Sequence, residues 1–381
     1  MSRSIALLSG KGGSGKTTLA LTIANMLSSC RIKVLLVDCD IVTNGATYFY
    51  EDRLSDSKSV ISFFDLLYHP NQIDSCSPME IIPAYYYFIP SIRKISTDIT
   101  DSHPFDVQTK KSFDHYYSNW KKEYDVILFD CSAGYSDVLP YIVPNVDTNL
   151  VVLESDKVSM AAMRSLYLKL GPILPESKFY QIFNKVRPEE VKEYQRREGS
   201  FFTSIGAIAF DWSIRDAFSI AQVPTLNNTG IDFGMQLNSI CSTLFEGDSY
   251  LAKLKKFGLQ LSLAKAQTEQ EKTRENLLSF KYDKGLMDNQ NRRAIAFSIM
   301  LFFCVLVCVL SFQSSPINIG KSWILPITLA LITSLISTFI EIFNPVSIKE
   351  RKMKLRAYDD QLKAQQDRIE KLEQLIAEID G

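Results

Sequence analysis

A glycine-rich run near the N-terminus carries the clearest chemistry in the sequence. Residues 10–18 read Gly-Lys-Gly-Gly-Ser-Gly-Lys-Thr-Thr, which satisfies the spacing G-x-x-x-x-G-K-[ST] of a phosphate-binding loop. Glycines let successive backbone N–H groups converge on phosphate oxygens at the positive end of a helix. Lys16 is expected to reach the β- and γ-phosphates, and the Thr17 hydroxyl is expected to bind Mg²⁺. The predicted nucleotide-binding residues are Gly12, Gly13, Ser14, Gly15, Lys16, Thr17 and Thr18.

Lys11 adds information that a generic phosphate loop lacks. With this lysine, the loop resembles that of the MinD/ParA family of deviant Walker A ATPases, which reads KGGxGKT. The resemblance implies that the nucleotide is ATP and that Lys11 crosses a homodimer interface to the phosphates bound by the other subunit. A cation there would neutralise charge that develops during phosphoryl transfer, as an arginine finger does. The alternative is a lysine that is simply solvated beside the loop.

Two aspartates at the ends of predicted strands complete the set of candidate catalytic and Mg²⁺-binding residues. Residues 37–40 read Val-Asp-Cys-Asp and residues 127–134 read Ile-Leu-Phe-Asp-Cys-Ser-Ala-Gly, and both runs are similar to the family's switch regions. The resemblance implies that Asp40 orients the attacking water and contacts Mg²⁺ through water, although an aspartate there could instead cap the next helix. It also implies that Asp130 is the Walker B carboxylate, which holds Mg²⁺. Ser132 stands where the family usually has proline. The predicted catalytic residues are thus Lys11, Lys16 and Asp40, and the predicted Mg²⁺ ligands are Thr17, Asp40 and Asp130.

A third polar position follows another predicted strand. Residues 183–185 read Phe-Asn-Lys, and the same resemblance makes Asn184 the candidate that recognises the adenine edge. Asparagine is also a common turn residue, so a purely structural role is the alternative.

Short apolar runs alternate with amphipathic stretches over the first 220 or so residues. The predicted strands are residues 5–8, 34–37, 85–89, 126–129, 149–153 and 179–183, and a helix is predicted over 16–29. This alternation predicts an α/β fold with a doubly wound, mostly parallel sheet. The resemblance to the family covers residues 1–255 and implies a P-loop NTPase domain there.

The composition excludes several classes of protein. With 42 Lys and Arg against 43 Asp and Glu and 46% apolar residues, the 381-residue chain is neither disordered nor a strongly basic partner of nucleic acid. Basic residues between 187 and 197 are interleaved with glutamates, so a solvated helix face is favoured over DNA binding. Seven cysteines without a CxxC pair indicate reduced thiols, and the N-terminus lacks a signal peptide.

Two uncharged stretches set the C-terminal part apart. Residues 294–312 and 322–340 are each long enough to cross a bilayer as a helix. Basic residues flank both outer ends, so the termini and the ATPase domain are expected in the cytoplasm, at the inner membrane. The sequence therefore predicts a helical linker arm over 256–293 and a transmembrane hairpin over 294–343. The alternative is a buried apolar hairpin in a soluble oligomer.

The last stretch, residues 344–381, has a seven-residue apolar repeat and is predicted to be a coiled-coil helix. The repeat consists of Ile348, Leu355, Leu362, Ile369 and Ile376, with Tyr358, Leu372 and Ile379 at the companion positions. Gln365 and Arg351 interrupt it, so a single amphipathic helix is the alternative. Residues 251–286 are the nearest candidate partner.

These features predict a membrane-anchored ATPase that acts as a nucleotide-dependent dimerisation switch and recruits or positions protein partners through its coiled arm. A nonhydrolysing, nucleotide-stabilised adaptor is the first alternative. A bacterial tyrosine kinase-like protein is the second, although the C-terminal tyrosine cluster of such kinases is absent from the sequence.

Overall fold

The computed structural model describes residues 2–54, 59–69, 77–93, 107–171, 178–196, 202–223, 230–281, 296–297, 299–300, 303, 331–332 and 345–380. The chain divides into two units: Met1–Ala264 with Leu375–Gly381, and Lys265–Gln374. All the site residues predicted from the sequence lie in the first unit.

One sheet organises the first unit. Its strands in the described residues are β1 (Arg3–Ser9), β2 (Val34–Asp38), β3 (Met79–Ile82), β4 (Tyr86–Ile89), β5 (Val126–Ala133), β6 (Thr148–Glu154), β7 (Lys178–Val186) and β8 (Thr203–Ala209). They lie in the order β3-β4-β2-β5-β1-β6-β7-β8. Neighbours are parallel except for β3 and β4, which pair antiparallel at one edge. The predicted parallel-dominated α/β sheet is thereby confirmed.

The described residues also form helices. They are α1 (Lys16–Ser29), α2 (Gly45–Phe49), α3 (Glu51–Leu54), α4 (Phe63–Tyr68), α5 (Val107–Glu123), α6 (Leu139–Ile142), α7 (Lys157–Leu170), α8 (Val191–Arg196), α9 (Trp212–Ser219), α10 (Ile231–Leu244), α11 (Leu251–Lys281) and α12 (Pro345–Asp380). The helix predicted over 16–29 corresponds to α1, and its apolar stripe is buried.

The sheet is buried on both faces, which explains why its central strands read as continuous apolar runs. In β1, Ile5 and Leu7 join one core, whereas Ala6 and Leu8 join the core on the other face. All five residues of β2 are buried. Each fully buried large apolar side chain contributes about 1.5–3 kcal/mol, so the two cores fix the strand register firmly.

The order of the strands determines where a site can form. β1 lies between β5 and β6, and the chain leaves it in the direction of α1 and β2. In an open parallel sheet, ligands bind beyond the carboxyl ends of the strands at such a switch in connection order. The loop that follows β1 and the aspartates at the ends of β2 and β5 therefore converge at one edge.

In the second unit, the part of α11 from Lys265 onward and the part of α12 up to Gln374 run antiparallel. The rings of Phe280 and Tyr358 lie 6.1 Å apart near one end of the pair. Towards the other end, Arg368 pairs with Glu269 at 3.4 Å. Most of the predicted repeat positions between Leu355 and Ile376 are the less exposed residues of α12, and Ile369 is buried, whereas Ile379 is exposed. A C-terminal helical arm is thus confirmed, with a partner from the same chain; a coiled coil as such stays a prediction.

Polar side chains interrupt the apolar contact between the two helices. Gln365 donates through Nε2 to the hydroxyl of Thr273 at 3.2 Å. Gln270 donates through Nε2 to Oε1 of Gln366 at 3.0 Å. These four residues are called the amide layer.

Among the described residues, no helix is both long enough and apolar enough to cross a membrane. The predicted transmembrane hairpin, residues 294–343, lies almost wholly outside the described residues. It stays a prediction.

Candidate functional site

The glycine-rich loop joins β1 to α1, as the sequence pattern predicts. Gly15 has a φ of +89° and directly precedes α1, whose first residue is Lys16. A Cβ atom at Gly15 would lie 2.3 Å from Nδ2 of Asn184, so a side chain at this position would collide with the end of β7. The loop therefore needs glycine here for conformation and for close packing.

Lys16, Thr17 and Asp130 come together at the start of α1. Lys16 is only 7% exposed and Asp130 is 1% exposed. Burial raises the pKa of Asp130 to about 6, although the nearby Lys16 ammonium and a hydrogen bond from Thr17 act in the opposite direction. The predicted phosphate-binding cation, hydroxyl ligand and Walker B carboxylate are thus neighbours.

One oxygen of Asp130 fits a role in metal binding. Among the described residues, Oδ1 of Asp130 is buried and has no hydrogen-bond partner. A buried carboxylate oxygen without a partner is costly unless a cation or water completes it. No group of three or more His, Cys, Asp or Glu in the described residues could hold a metal by itself. Mg²⁺ commonly needs only one or two carboxylates because phosphates and water supply its other ligands.

Asp38 belongs to the site but was not assigned a role from the sequence. It lies opposite Asp130 in the parallel register of β2 and β5 and is fully buried. Burial, and then the charge of Asp130, raise its pKa to about 7. Asp38 accepts hydrogen bonds from the N–H of Asp40 at 3.0 Å and from the hydroxyl of Thr47 at 2.7 Å. The signal that could have identified Asp38 was its position at the end of a predicted strand beside the strand that carries Asp130.

Asp40 closes a turn ahead of α2. Its Oδ1 accepts the N–H of Thr43 at 3.0 Å, and its Oδ2 accepts the Thr43 hydroxyl. Its carbonyl accepts the N–H of Asn44 at 2.8 Å. Asp40 therefore closes a local turn and does not cap α2, whose N-cap residue is Asn44. Its water-orienting role stays a prediction.

Lys11 is held by two carboxylates of its own chain. Its Nζ lies 2.7 Å from Glu154 and 3.0 Å from Asp156, so it is not simply solvated. The hydrogen bond with Glu154, followed by that with Asp156, raises the pKa of Lys11. Asp156 also caps α7 by accepting the N–H of Ser159 at 2.8 Å. A role of Lys11 in a second subunit stays a prediction.

Asn184 contacts the phosphate loop from the end of β7. Its Nδ2 donates to the carbonyl oxygen of Ser14 at 2.8 Å, and the side chain is buried. This bond uses one of the two amide hydrogens, so a second N–H and the acceptor Oδ1 are left to face a base. Such an acceptor suits the exocyclic amine of adenine.

A cavity of about 480 Å³ opens beside the loop and Asn184. Its far wall is formed by apolar residues that the sequence did not single out as site residues, namely Phe210, Ile214, Phe218 and Phe233, with Asp211 and Arg215 among the other lining residues. The volume and the mixture of an apolar wall with a few polar groups suit a small organic ligand. No local sequence motif identifies this wall. Its residues lie on or next to β8, α9 and α10, which meet the loop only in the folded chain.

We expect Mg²⁺–nucleotide binding to release protons from Asp38 and Asp130 between about pH 6 and pH 7. With raised pKa values, these carboxyls are partly protonated in the absence of a cation, and a bound cation favours their ionised forms. Above this range both are already ionised, so the release should vanish. Calorimetric titrations within this pH range in PIPES and in imidazole, two buffers with different ionisation enthalpies, should then give different apparent binding enthalpies.

Asp38→Asn is the matched control for proton release. Any proton released from the nucleotide's own phosphates is released with the variant and with the wild type alike, so a difference between them reports on Asp38. The variant should release fewer protons than the wild type at the same pH. Equal release would show that Asp38 does not titrate on binding.

The loop between β1 and α1, the buried Lys16 and the Asp130 carboxylate define a class: the N-terminal part of the chain is a P-loop nucleotide-binding domain. Residues 2–178 match a protein-family model described as an AAA domain. The chain is also similar to the septum site-determining protein MinD of Synechocystis sp. (strain ATCC 27184 / PCC 6803 / Kazusa). The two are 25% identical over 196 residues, which make up 50% of this chain and 68% of that protein.

Two solved structures are similar to this chain. A plasmid partition protein from Borrelia burgdorferi B31, bound to AMPPNP, matches with a TM-score of 0.51 and 19% identity over 65% of this chain and 99% of that one. The MinC:MinD cell division protein complex of Aquifex aeolicus matches with a TM-score of 0.49 and 19% identity over 65% of this chain and 97% of that one. The likeness to the partition protein shows the fold, a parallel-dominated α/β P-loop NTPase fold.

Proposed function

We propose that this chain is a Mg²⁺-dependent ATP hydrolase. The observation that carries the proposal is the buried cluster of Lys16, Thr17 and Asp130, which leaves one Asp130 oxygen unpartnered among the described residues. In this arrangement Lys16 would bind the β- and γ-phosphates, and Thr17 and Asp130 would hold Mg²⁺. The structurally similar partition protein was solved with AMPPNP, an ATP analogue, which supports the choice of nucleotide.

Adenine would occupy the cavity beside the loop. Asn184 would accept a hydrogen bond from the exocyclic amine, and the apolar wall of β8, α9 and α10 would cover the ring.

The hydrolase would work as a dimerisation switch. The side chain of Lys11 is 29% exposed, and its Nζ pairs with Glu154 and Asp156. A second copy with ATP bound would offer phosphate oxygens as alternative partners for this ammonium group. ATP would thereby favour a closed homodimer, and hydrolysis would open it.

Anchoring at the cytoplasmic membrane completes the proposal. Its support is the pair of uncharged stretches at 294–312 and 322–340, with basic residues on both outer flanks. The C-terminal helical arm would then bind a protein partner. The resemblance to a septum site-determining protein supports a role in positioning cellular components.

One observation favours a nonhydrolysing adaptor as the second candidate. Both carboxylate oxygens of Asp40 are engaged in the turn with Thr43, and such an aspartate has less freedom to orient a water molecule. Measuring phosphate release and self-phosphorylation by the purified chain with Mg²⁺–ATP separates the candidates. Sustained phosphate release without phosphorylation supports the hydrolase, whereas ATP binding without release supports the adaptor.

The proposed topology gives a labelling prediction. A cysteine placed at Ser315 should react with a membrane-impermeant thiol reagent in intact cells, because the short loop between the stretches would face outward. A cysteine placed at Gln361 should react only after lysis. Gln361 is exposed on α12, so burial would not explain its protection. The opposite pattern, or a chain that stays in the high-speed supernatant without detergent, would refute the anchor.

A further inference from the structure

The end of β7 holds the phosphate loop through two consecutive residues. Asn184 donates to the carbonyl of Ser14 at 2.8 Å, and Nζ of Lys185 donates to the carbonyl of Gly13. Lys185 also pairs with Glu154 at 3.1 Å, and its Cε lies 3.8 Å from the position of a Cβ on Gly15. Two successive loop carbonyls are therefore each bound by successive residues of one strand.

An unusual backbone conformation makes this double contact feasible. Successive side chains of a regular strand point to opposite faces, so Asn184 and Lys185 would not reach the same loop. Lys185, however, has a φ of +58°, in the left-handed region that a lysine rarely adopts. The pairing of β7 with β8 is also irregular between Phe183 and Val186. Such an irregularity re-aims a side chain, here towards the loop.

The two bound carbonyls determine where the loop's donors point. In a planar trans peptide, the C=O of one residue and the N–H of the next point in opposite directions. Holding the carbonyls of Gly13 and Ser14 against β7 therefore turns the N–H groups of Ser14 and Gly15 away from β7. These are among the donors that a phosphate-binding loop needs.

We propose that Lys185 is a positioning residue that holds the loop in its phosphate-binding conformation before nucleotide arrives, with Glu154 fixing the lysine head. The inference rests on the proposed function only in taking the ligand to be a nucleotide phosphate. Glu154 pairs with Lys11 as well, so a single carboxylate holds both lysines that flank the loop.

Hydrogen exchange on the nucleotide-free full chain tests the proposal. In Lys185→Met, the loop peptide containing residues 11–15 should exchange about 5-fold faster, because one hydrogen bond of ordinary strength is lost. The half-saturating ATP concentration should rise about 5–10-fold, with a smaller fall in kcat at saturating ATP, since the loss concerns loop preorganisation. Lys185→Arg, which keeps a charged donor, should restore both quantities.

A second variant separates positioning from general stability. Lys185→Asn removes the long side chain, but asparagine tolerates the left-handed backbone, so its Tm should not fall. Its loop should nevertheless exchange as fast as that of Lys185→Met. Lys192→Met, at an exposed position on α8, serves as the matched control and should behave like the wild type.

The positioning role of Lys185 and the proposed ATP-binding function would fail in different experiments. Unchanged loop exchange in both Lys185→Met and Lys185→Asn would overturn the positioning role. A wild-type chain that does not bind ATP would refute the proposed function, yet the exchange comparison in the nucleotide-free state would still decide the role of Lys185.

Discussion

Lys16→Ala is expected to abolish nucleotide binding. The Lys16 ammonium is the cation at the start of α1, and it is almost fully buried beside Asp130. Charge-assisted hydrogen bonds contribute about 1.5–3 kcal/mol each, so losing two phosphate contacts weakens binding by about 100-fold or more. Removing this cation also leaves the buried Asp130 carboxylate without its nearest positive charge.

Titration with a fluorescent ATP analogue, confirmed by calorimetry, measures this loss. Lys122→Ala is the matched control, because Lys122 is exposed on α5, away from the loop. Binding by Lys16→Ala within about threefold of the wild type, less than one ordinary hydrogen bond is worth, would show that Lys16 does not face the phosphates.

Lys11→Ala is expected to keep ATP binding but lose the ATP-dependent dimer and most turnover. Cations that act across an interface on a transferring phosphoryl group are worth about 10³–10⁵ in kcat. Binding within one subunit should change little, because Nζ of Lys11 pairs with Glu154 and Asp156 and not with the loop. Light scattering of the purified chain with ATP and with ADP measures the dimer, and phosphate release measures turnover.

Asp156→Asn should favour the ATP-dependent dimer, which is the opposite of the effect expected for Lys11→Ala. Asparagine keeps the cap on α7 but loses the charge that holds Lys11, so dimerisation should need no more ATP than in the wild type. The effect should be small, because the ion pair between Lys11 and Asp156 is partly exposed to solvent. An unchanged ATP-dependent dimer in Lys11→Ala would place the action of Lys11 within its own subunit.

The predictable parts of the fold are those with local signatures. Strands and the phosphate loop are encoded by contiguous runs, so β1, β2, β5 and the start of α1 follow from the sequence alone. Asp38 was overlooked because its significance lies in its neighbour Asp130 on another strand. The contacts of Lys185 depend on its left-handed backbone and on the irregular pairing of β7 with β8, and no pattern of residues in the sequence predicts either.

Other parts depend on long-range assembly. The apolar wall of the cavity comes from elements between residues 209 and 233, which reach the loop only through the sheet order. For Asp40, the resemblance gave a catalytic role, whereas the geometry shows a turn closed by Thr43. In α12, the seven-residue repeat predicted which positions are less exposed, but the identity of the partner helix could be only a candidate.

The amide layer between α11 and α12 limits how this helical pair can transmit movement. Its hydrogen bonds, between Gln365 and Thr273 and between Gln270 and Gln366, are satisfied in a single register. Sliding one helix by a heptad, about 10 Å, would break both hydrogen bonds. Gln270 and Thr273 are buried, so each would cost about 1–3 kcal/mol if left without a partner, a barrier that the apolar repeat alone would not impose. The pair is therefore suited to moving as a rigid lever and poorly suited to signalling by a shift of one helix along the other.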